Sequence, residues 1–558
     1  MKIVVVGGVA GGMSFAARAR RLSESAEIVV LERDPYVSYA NCGLPYHLAD
    51  EITDRSALLL HTPASLAAAL ALDVRTGHEV LEVDAAARRV TVRERATGRT
   101  YTEDFDALVL STGAAAVVPP IPGIDHPAVR VLRTVPDVDA LRAVVDSGAR
   151  RAVVVGAGFI GLEVAEALRH RGLEVTLVEL AEQVLPPLDP ELAVTVQREL
   201  TRHGVDVRTA TSLAGVKEGS GDGASPLTAE LSDGALLPCD LVLLAVGVRP
   251  ESSLARAAGL DVNERGAVRV DEHLLTSAPG VYAVGDAIEV VDAVTGAPAV
   301  VPLAGPANRQ GRAAANHLFG RPGGRMPVLG TAIVRAFGVV AATTGRPEKA
   351  LRAAGIACHA IHLHPGHHAG YYPGAQAIHL KLVFSPDGAI LGAQATGGEG
   401  VDKRIDVIAT AIRAGLTVRD LAELELAYAP PFGSAKDPVN MAGFVASNIL
   451  DGDLAVWHAA DLDSTPDAVL LDVRSPREHA RGHLPGALNI AHTELRARLD
   501  EVPRGRPVLV HCASGFRSYL ALRVLRQNGF DDVRSLSGGM TTLRDAVPGL
   551  VVEKTETR

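Results

Sequence analysis

The chain has 558 residues, enough for three or four domains of ordinary size. Its 47% apolar and 22% charged content is that of a folded globular protein, and 55 Lys and Arg against 65 Asp and Glu leave a net charge of −10, which argues against nucleic acid as the main partner. Four cysteines, Cys42, Cys239, Cys358 and Cys512, stand far apart with no Cys-x-x-Cys pair, so neither a disulfide framework nor a cysteine zinc site is indicated.

Separated thiols of this kind suit a reducing cytoplasm, where we expect the protein. No run reaches the ~18 apolar residues a membrane span needs. In chain order, Ile3 to Val6 and Ile28 to Leu31 read as strands around a helix from Met13 to Leu22, and Leu108 to Leu110 as a further strand. Pro119, Pro120 and Pro122 mark a linker. The pattern then restarts: Ala152 to Val155, a glycine turn, a helix and Val175 to Val178. Such alternation predicts parallel βαβ units, here repeated as two similar modules. Residues 217–226 read as a hairpin loop, and Leu241 to Ala245 as a strand. Residues 326–450 are less regular, with a strand over Ile378 to Phe384. A new α/β segment of about 100 residues, a domain's length, begins near Asp451, with strands at Ala468 to Val473 and Val508 to Val510 and a helix over Tyr519 to Asn528.

Each module carries a glycine turn between strand and helix. The second, Gly156-Ala157-Gly158-Phe159-Ile160-Gly161, is a complete dinucleotide fingerprint: its glycines admit a pyrophosphate to the helix N-terminus. Glu179, 23 residues on, accepts from a ribose 2′-hydroxyl and repels a 2′-phosphate, favouring NADH, with NADPH the lesser alternative. The first, Gly7-Gly8-Val9-Ala10-Gly11-Gly12, has Val9 in place of the middle glycine but is followed by Glu32 in the corresponding position.

Two such turns, with Ser111-Thr112-Gly113, Ala245-Val246-Gly247-Val248-Arg249-Pro250 and Val281-Tyr282-Ala283-Val284-Gly285-Asp286, resemble the flavoprotein disulfide reductases with two dinucleotide domains. The resemblance implies FAD at Gly7, Gly8, Ala10, Gly11, Gly12, Glu32, Arg33, Val80, Thr112, Gly113, Gly285 and Asp286, with Pro302, Ala304 and Asn308 lining the flavin. It implies NADH at Gly156, Gly158, Ile160, Gly161, Glu179 and Gly247. The string Ser38-Tyr39-Ala40-Asn41-Cys42-Gly43-Leu44-Pro45-Tyr46 resembles that of coenzyme A-disulfide reductases and their persulfide-reducing relatives. Dithiol relatives carry a second cysteine five positions away, where this chain has His47 and Val37, so Cys42 acts alone. Exchange needs a thiolate, and an exposed site near helix termini and positive charge would lower the thiol pKa. Arg18 and Arg21, three apart, share one helix face; the resemblance implies that this face, with Ser38 and Asn41, holds coenzyme A phosphates, although Ala64 to Leu72 lacks the lysine expected to help.

His368-Ala369-Gly370-Tyr371-Tyr372-Pro373-Gly374 and Ala427-Tyr428-Ala429-Pro430-Pro431-Phe432 resemble the dimerisation domain of that family. The resemblance implies a homodimer in which Tyr371 and Tyr428 reach the partner's cysteine and act on the leaving thiol. His359, His362, His364, His367 and His368 lack the spacing and companion acids of a catalytic metal centre, so no metal is expected. Finally, Leu471-Asp472-Val473-Arg474, Gly482-His483-Leu484-Pro485-Gly486 and Cys512-Ala513-Ser514-Gly515-Phe516-Arg517-Ser518 resemble a rhodanese; four residues separate Cys512 from Arg517, where tyrosine phosphatases have five. Backbone N–H groups around Cys512 would favour a thiolate and a persulfide. Cys239 and Cys358 carry no motif and read as structural.

The expected architecture is α/β: Rossmann-like FAD (1–118 and 276–325) and NADH (119–275) domains, an α+β dimerisation domain (326–450) and a rhodanese-like α/β domain (451–558). The expected activity is NADH-dependent reduction of a coenzyme A disulfide, persulfide or polysulfide at Cys42, with sulfane sulfur carried by Cys512. Two alternatives are an NADH oxidase or peroxidase cycling a cysteine sulfenic acid, and a redox sensor whose rhodanese only docks a partner.

Overall fold

The computed structural model describes residues 1–219, 225–547 and 549–553; the central part of the loop expected over 217–226 lies outside them. Two compact units divide the chain: Met1–Glu182 with Thr201–Gly330, and Gln183–Leu200 with Thr331–Arg558. The first holds two parallel five-stranded sheets. In one, the strand Lys2–Val6 lies between Glu27–Glu32 and Ala107–Leu110, with Asp73–Thr76 and Val281–Ala283 at the edges. In the other, Arg151–Val155 lies between Glu174–Val178 and Leu241–Leu244, with Val205–Arg208 and Val129–Val131 outside. The inner strands are continuous Val, Ile and Leu runs because helices cover both faces of a parallel sheet; Ile3, Val4, Val5, Val29 and Val30 are fully buried. Strand Val281–Ala283 pairs with Ala107–Leu110, so chain following the second module completes the sheet of the first.

The helix Ala10–Leu22 starts three residues earlier than expected, directly on the glycine turn. Its end is anchored by Arg20, a buried guanidinium that donates to the carbonyls of Ser23, Glu24, Ala26, Leu70 and Ala71.

The second unit contains an antiparallel five-stranded sheet, in the order Ala332–Ala336, Val339–Gly345, Ile390–Gly397, Ile378–Phe384, His359–Leu363. Its apolar side is closed by helices including Val401–Ala414 and Pro438–Leu450. The C-terminal part is a parallel sheet, Val456–Trp457, Val533–Leu536, Val508–His511, Val469–Asp472, Leu488–Asn489. The helix expected from Tyr519 runs over Phe516–Gln527, because Gly515 takes φ +102° and lets the chain turn into the helix at once. Among the described residues no helix is long and apolar enough to cross a membrane.

Candidate active sites

The two glycine turns are built alike. A Cβ on Gly7 would lie 2.1 Å from the Ser111 carbonyl oxygen, and one on Gly156 2.4 Å from that of Ala245; both residues take φ near +100°. At Gly12 and Gly161 a Cβ would meet the Gly7 and Gly156 carbonyls, so the last position lets helix and turn close on each other. The middle position differs. Gly158 has φ −78° and open space, and Val9 in the first turn has φ −115°, so a side chain is tolerated there and the imperfect fingerprint has a steric explanation.

The two acids are also used alike. Glu32 accepts from the Gly8 and Asp34 amides at 2.8 and 2.9 Å, and Glu179 from those of Ala157 and Ala181 at 2.7 and 2.8 Å. Burial pushes the Glu32 carboxyl up, and the two amides oppose this. Glycine cradles at helix N-termini with an acid beside each fit two dinucleotides. Arg33 is half-exposed beside Asp34, whereas the Val80 side chain lies in the core. Gly113 and Gly247 take positive φ on either side of a two-stranded ribbon formed by Ala114–Ala116 and Val248–Pro250, and the Thr112 hydroxyl donates to the Glu251 carbonyl. Pro302 and Ala304 are exposed before and at the start of the helix Ala304–Leu318. On that helix the Asn308 amide is engaged by Ser14 (2.5 Å) and the Ala304 carbonyl (2.9 Å).

Cys42 lies in a short 3-10 turn, Asn41–Gly43, leading into the helix Leu44–Leu48. His47, where a dithiol relative has its second cysteine, is buried and hydrogen-bonded to the Ile52 carbonyl. Cys42 is exposed as expected, but the charges around it differ from expectation. Partial desolvation of the sulfur and the Glu163 carboxylate push its thiol up, Asp286 adds to this, and Arg133 opposes it. A single turn of 3-10 helix offers little dipole, and two carboxylates outweigh one guanidinium. Arg133 donates to Asp286 (3.0 Å) and to the Ala114 carbonyl (3.0 Å), and its own carbonyl accepts from Asn41 (2.6 Å). Glu163 accepts from the Tyr46 hydroxyl at 3.1 Å.

Arg133, Glu163 and Gln310, whose side chain accepts from the Gly285 amide at 2.8 Å, escaped the motif reading. Only Glu163 left a sequence signal, as a carboxylate within the otherwise apolar run from Leu162 to Leu168, broken again by Glu166.

Arg18 and Arg21 do share a face, and Arg312 and Arg321 join them: burial first, then these three charges, lower the Arg18 pKa. Arg18 also donates to Asn316 at 2.8 Å. The Asn41 amide, however, turns to Arg133 rather than to this cluster. Ser38 takes a left-handed φ of +48° with its amide bonded to the Gly8 carbonyl.

In the second unit Tyr371 and Tyr428, 57 positions apart, hydrogen-bond phenol to phenol at 2.9 Å and are 76% and 48% exposed. The bond to Tyr428 raises the Tyr371 pKa. The histidines have protein partners: His362 with Ser537 and Glu191, His364 with Thr542, His367 with the Gln376 carbonyl, and His368 with the Ala369 carbonyl; His359 stacks against Phe384. Nearby, Asp189, Glu191 and Glu348 converge on the buried Lys381 ammonium at 2.9, 2.6 and 2.6 Å.

Cys512 directly follows the strand Val508–His511 and is 1% exposed. The Gly515 amide (3.2 Å) and the Ser518 hydroxyl (3.4 Å) contact its sulfur, and the Arg517 guanidinium hydrogen-bonds it as well. Arg517 donates to both Glu478 carboxylate oxygens at 2.8 and 2.7 Å, and this pair holds the Glu478 carboxyl down at about 2. Asp472 is fully buried beneath the loop; burial opposes its ionisation, but His511, Arg474 and His479 hold it far below the usual carboxylate range. Burial pushes the Cys239 thiol up to about 11, and that of Cys358 upward.

This fold and these sites define a flavoprotein reductase with two dinucleotide domains and an attached sulfurtransferase-like domain. Residues 1–311 match the pyridine nucleotide-disulphide oxidoreductase family, 332–438 its dimerisation domain, and 454–546 the rhodanese-like domain. The chain belongs to the pyridine nucleotide-disulphide oxidoreductases and is an FAD-dependent enzyme of the coenzyme A-disulfide reductase and persulfide reductase type, using NAD(H) and carrying a rhodanese domain. It is 35% identical to a coenzyme A disulfide reductase of Staphylococcus haemolyticus over 80% of this chain and 100% of that one. It is 34% identical to an NADH oxidase of Methanocaldococcus jannaschii over 79% and 98%. Among solved structures it is similar to reduced CoADR-RHD of Bacillus anthracis (45% identity, 99% of both chains, TM-score 0.95) and to an NAD-dependent persulfide reductase of A. fulgidus (38% identity, 97% and 100%, TM-score 0.89).

Proposed function

We propose that the protein reduces coenzyme A persulfide, polysulfide or coenzyme A disulfide with NADH through Cys42 alone, and that Cys512 carries sulfane sulfur. The observation that carries this reading is the pair of solitary cysteines in built sites. Cys42 lies among Arg133, Asp286 and Glu163 with His47 in place of a second thiol; Cys512 is held by Gly515 and Ser518.

The residues around Gly7, Glu32, Gly113 and Asp286 would hold FAD, and those around Gly156 and Glu179 NADH. When bound, FAD supplies the relay of two electrons from NADH to a sulfur bonded to Cys42. The Cys42 thiolate attacks the outer sulfur of coenzyme A persulfide, forming a Cys42 persulfide and releasing coenzyme A thiolate, which takes a proton from Tyr428 or Tyr371. Overall, NADH, one proton and coenzyme A persulfide give NAD⁺, coenzyme A and hydrogen sulfide; a coenzyme A disulfide gives two coenzyme A. At Cys512, thiolate and thiosulfate give a cysteine persulfide and sulfite. Arg18, Arg21, Arg312 and Arg321 present the cationic surface that the coenzyme A phosphates need. Exposed Tyr371, Tyr372, Tyr428 and Phe432 support a homodimer with the tyrosines over the partner's Cys42. Four free cysteines support a cytoplasmic setting.

The test is anaerobic NADH consumption with coenzyme A persulfide, polysulfide and coenzyme A disulfide, against O₂ or peroxide as acceptor. Faster turnover with the sulfur substrates is expected. Faster reoxidation by O₂ or peroxide would install the oxidase or peroxidase reading that the similarity to an NADH oxidase keeps in view.

A further inference from the structure

The Cys512 loop is not held by its own domain alone. Its Cys512 and Ala513 carbonyls accept from the Met540 and Thr541 amides at 2.8 and 3.0 Å, the first turn of the helix Gly539–Ala546, and the Thr541 hydroxyl adds a bond to Ala513 at 3.1 Å. That helix is pinned from the other side by the strand His359–Leu363 and the residue after it. Ser537 accepts from the His362 amide at 3.0 Å and pairs with its Nδ1 at 3.0 Å, while His362 Nε2 meets Glu191 at 2.9 Å. Since a carboxylate only accepts, Nε2–H donates to Glu191, and Nδ1 faces the Ser537 hydroxyl. His364 Nε2 hydrogen-bonds the Thr542 hydroxyl at 2.8 Å. Burial, with His379 and His362 adding to it, pushes His364 down to about 3, so it is a neutral hydrogen-bonding ring at physiological pH.

Between strand and loop lie only Gly538 and Gly539, both at positive φ. A Cβ on Gly538 would lie 2.7 Å from the His362 Cβ and 2.0 Å from the Thr542 hydroxyl oxygen; one on Gly539 would lie 2.6 Å from the Cys512 carbonyl oxygen. Strand, double-glycine turn and cysteine loop are therefore stacked with no room for a methyl group, and a shift of the strand is passed to Cys512.

We infer that His362 and His364, on the dimerisation-domain sheet, are positioning residues for the rhodanese cysteine: through Ser537, Gly538–Gly539 and Thr542 they set the backbone that holds Cys512. The sulfurtransferase site is thus assembled from two domains. The inference rests on the proposed sulfur-carrier role of Cys512 for its consequence, but its geometry can be read without sulfur transfer.

The test uses the full-length, FAD-loaded protein with Thr542→Val, His364→Leu, the two combined, and His364→Gln, which keeps a hydrogen-bonding group. Iodoacetamide modification of Cys512, followed by mass spectrometry of its peptide across pH, reports the loop; sulfur transfer from thiosulfate is measured alongside. Both single variants should shift the Cys512 modification profile and lower kcat for sulfur transfer about tenfold at unchanged KM. The combined variant should do little more than His364→Leu alone, because Thr542→Val removes a bond that His364→Leu has already removed, the His364–Thr542 bond, while His364→Leu also removes the bond to the Gly538 backbone. His364→Gln should restore most of the loss, and NADH-dependent reduction at Cys42 should stay at its wild-type rate. An unshifted modification profile in both single variants, or losses that multiply in the combined variant, overturns the inference. If the wild-type protein transfers no sulfur, the carrier role of Cys512 fails instead, and the modification profile still decides the positioning.

Discussion

Arg133 meets Asp286 at 3.0 Å although 153 positions separate them, and its carbonyl takes a hydrogen bond from Asn41, the neighbour of Cys42. One residue therefore joins the cysteine string to the Gly-Asp string that would hold the flavin. Its charge also favours the Cys42 thiolate, against Glu163 and Asp286.

Replacing charges around Cys42 should tune its thiol in opposite directions. Glu163→Gln removes a carboxylate that pushes the pKa up, so the midpoint for alkylation of reduced Cys42 should move to lower pH. Arg133→Leu should move it to higher pH. Peptide-resolved alkylation against pH checks both signs; no movement in Glu163→Gln would mean that burial alone sets the thiol.

The two cysteines should separate cleanly. Cys42→Ser should cut NADH-dependent reduction by at least about a thousandfold while sparing sulfur transfer from thiosulfate, and Cys512→Ala should do the reverse. Residual full transfer in Cys512→Ala would leave the rhodanese as a docking module.

A shared site has a distinctive signature. Mixed dimers of Cys42→Ser with Tyr371→Phe/Tyr428→Phe chains should regain activity, because one of their two sites receives an intact cysteine and intact tyrosines. Subunit-exchange kinetics showing no recovery would place the tyrosines in their own subunit's site.

Nucleotide choice should follow the second acid. Leu180 is 74% exposed beside Glu179. Glu179→Ala combined with Leu180→Arg should shift the NADPH/NADH ratio of kcat/KM by about tenfold or more, since repulsion is removed and a phosphate partner added.

The Arg517–Glu478 pair should stabilise the rhodanese domain in a defined pH window. The Glu478 carboxyl is lowered from 4.5 to about 2, so its contribution is present above pH 4.5 and is lost as pH falls towards 2. The pair is about one-third exposed, which limits the effect to less than about 1 kcal/mol. Trp457, the sole tryptophan and fully buried in this domain, reports unfolding by fluorescence. The stability gap between wild type and Glu478→Gln should close over that range; a gap unchanged at pH 2 would rule out the linkage.

Local chemistry was legible without coordinates. Gly7 and Gly156 with their partner acids, the solitary Cys42 and the Cys512 loop are contiguous or regularly spaced strings, and some constraints on them, such as the Gly7 carbonyl 2.0 Å from where a side chain on Gly12 would begin, act within one turn of chain. The sequence by itself thus determined the repeated dinucleotide turns, the cysteine inventory and the order of domains. Only the tertiary structure decided what surrounds each sulfur. Glu163 and Arg133 reach Cys42 from 121 and 91 positions away, and His362 and His364 reach the Cys512 loop across about 150. The physical reason is that charge and packing depend on separation in space, and separation in sequence carries no record of it once sheets bring distant strands together. That is why the expected lowering of the Cys42 pKa reversed in sign.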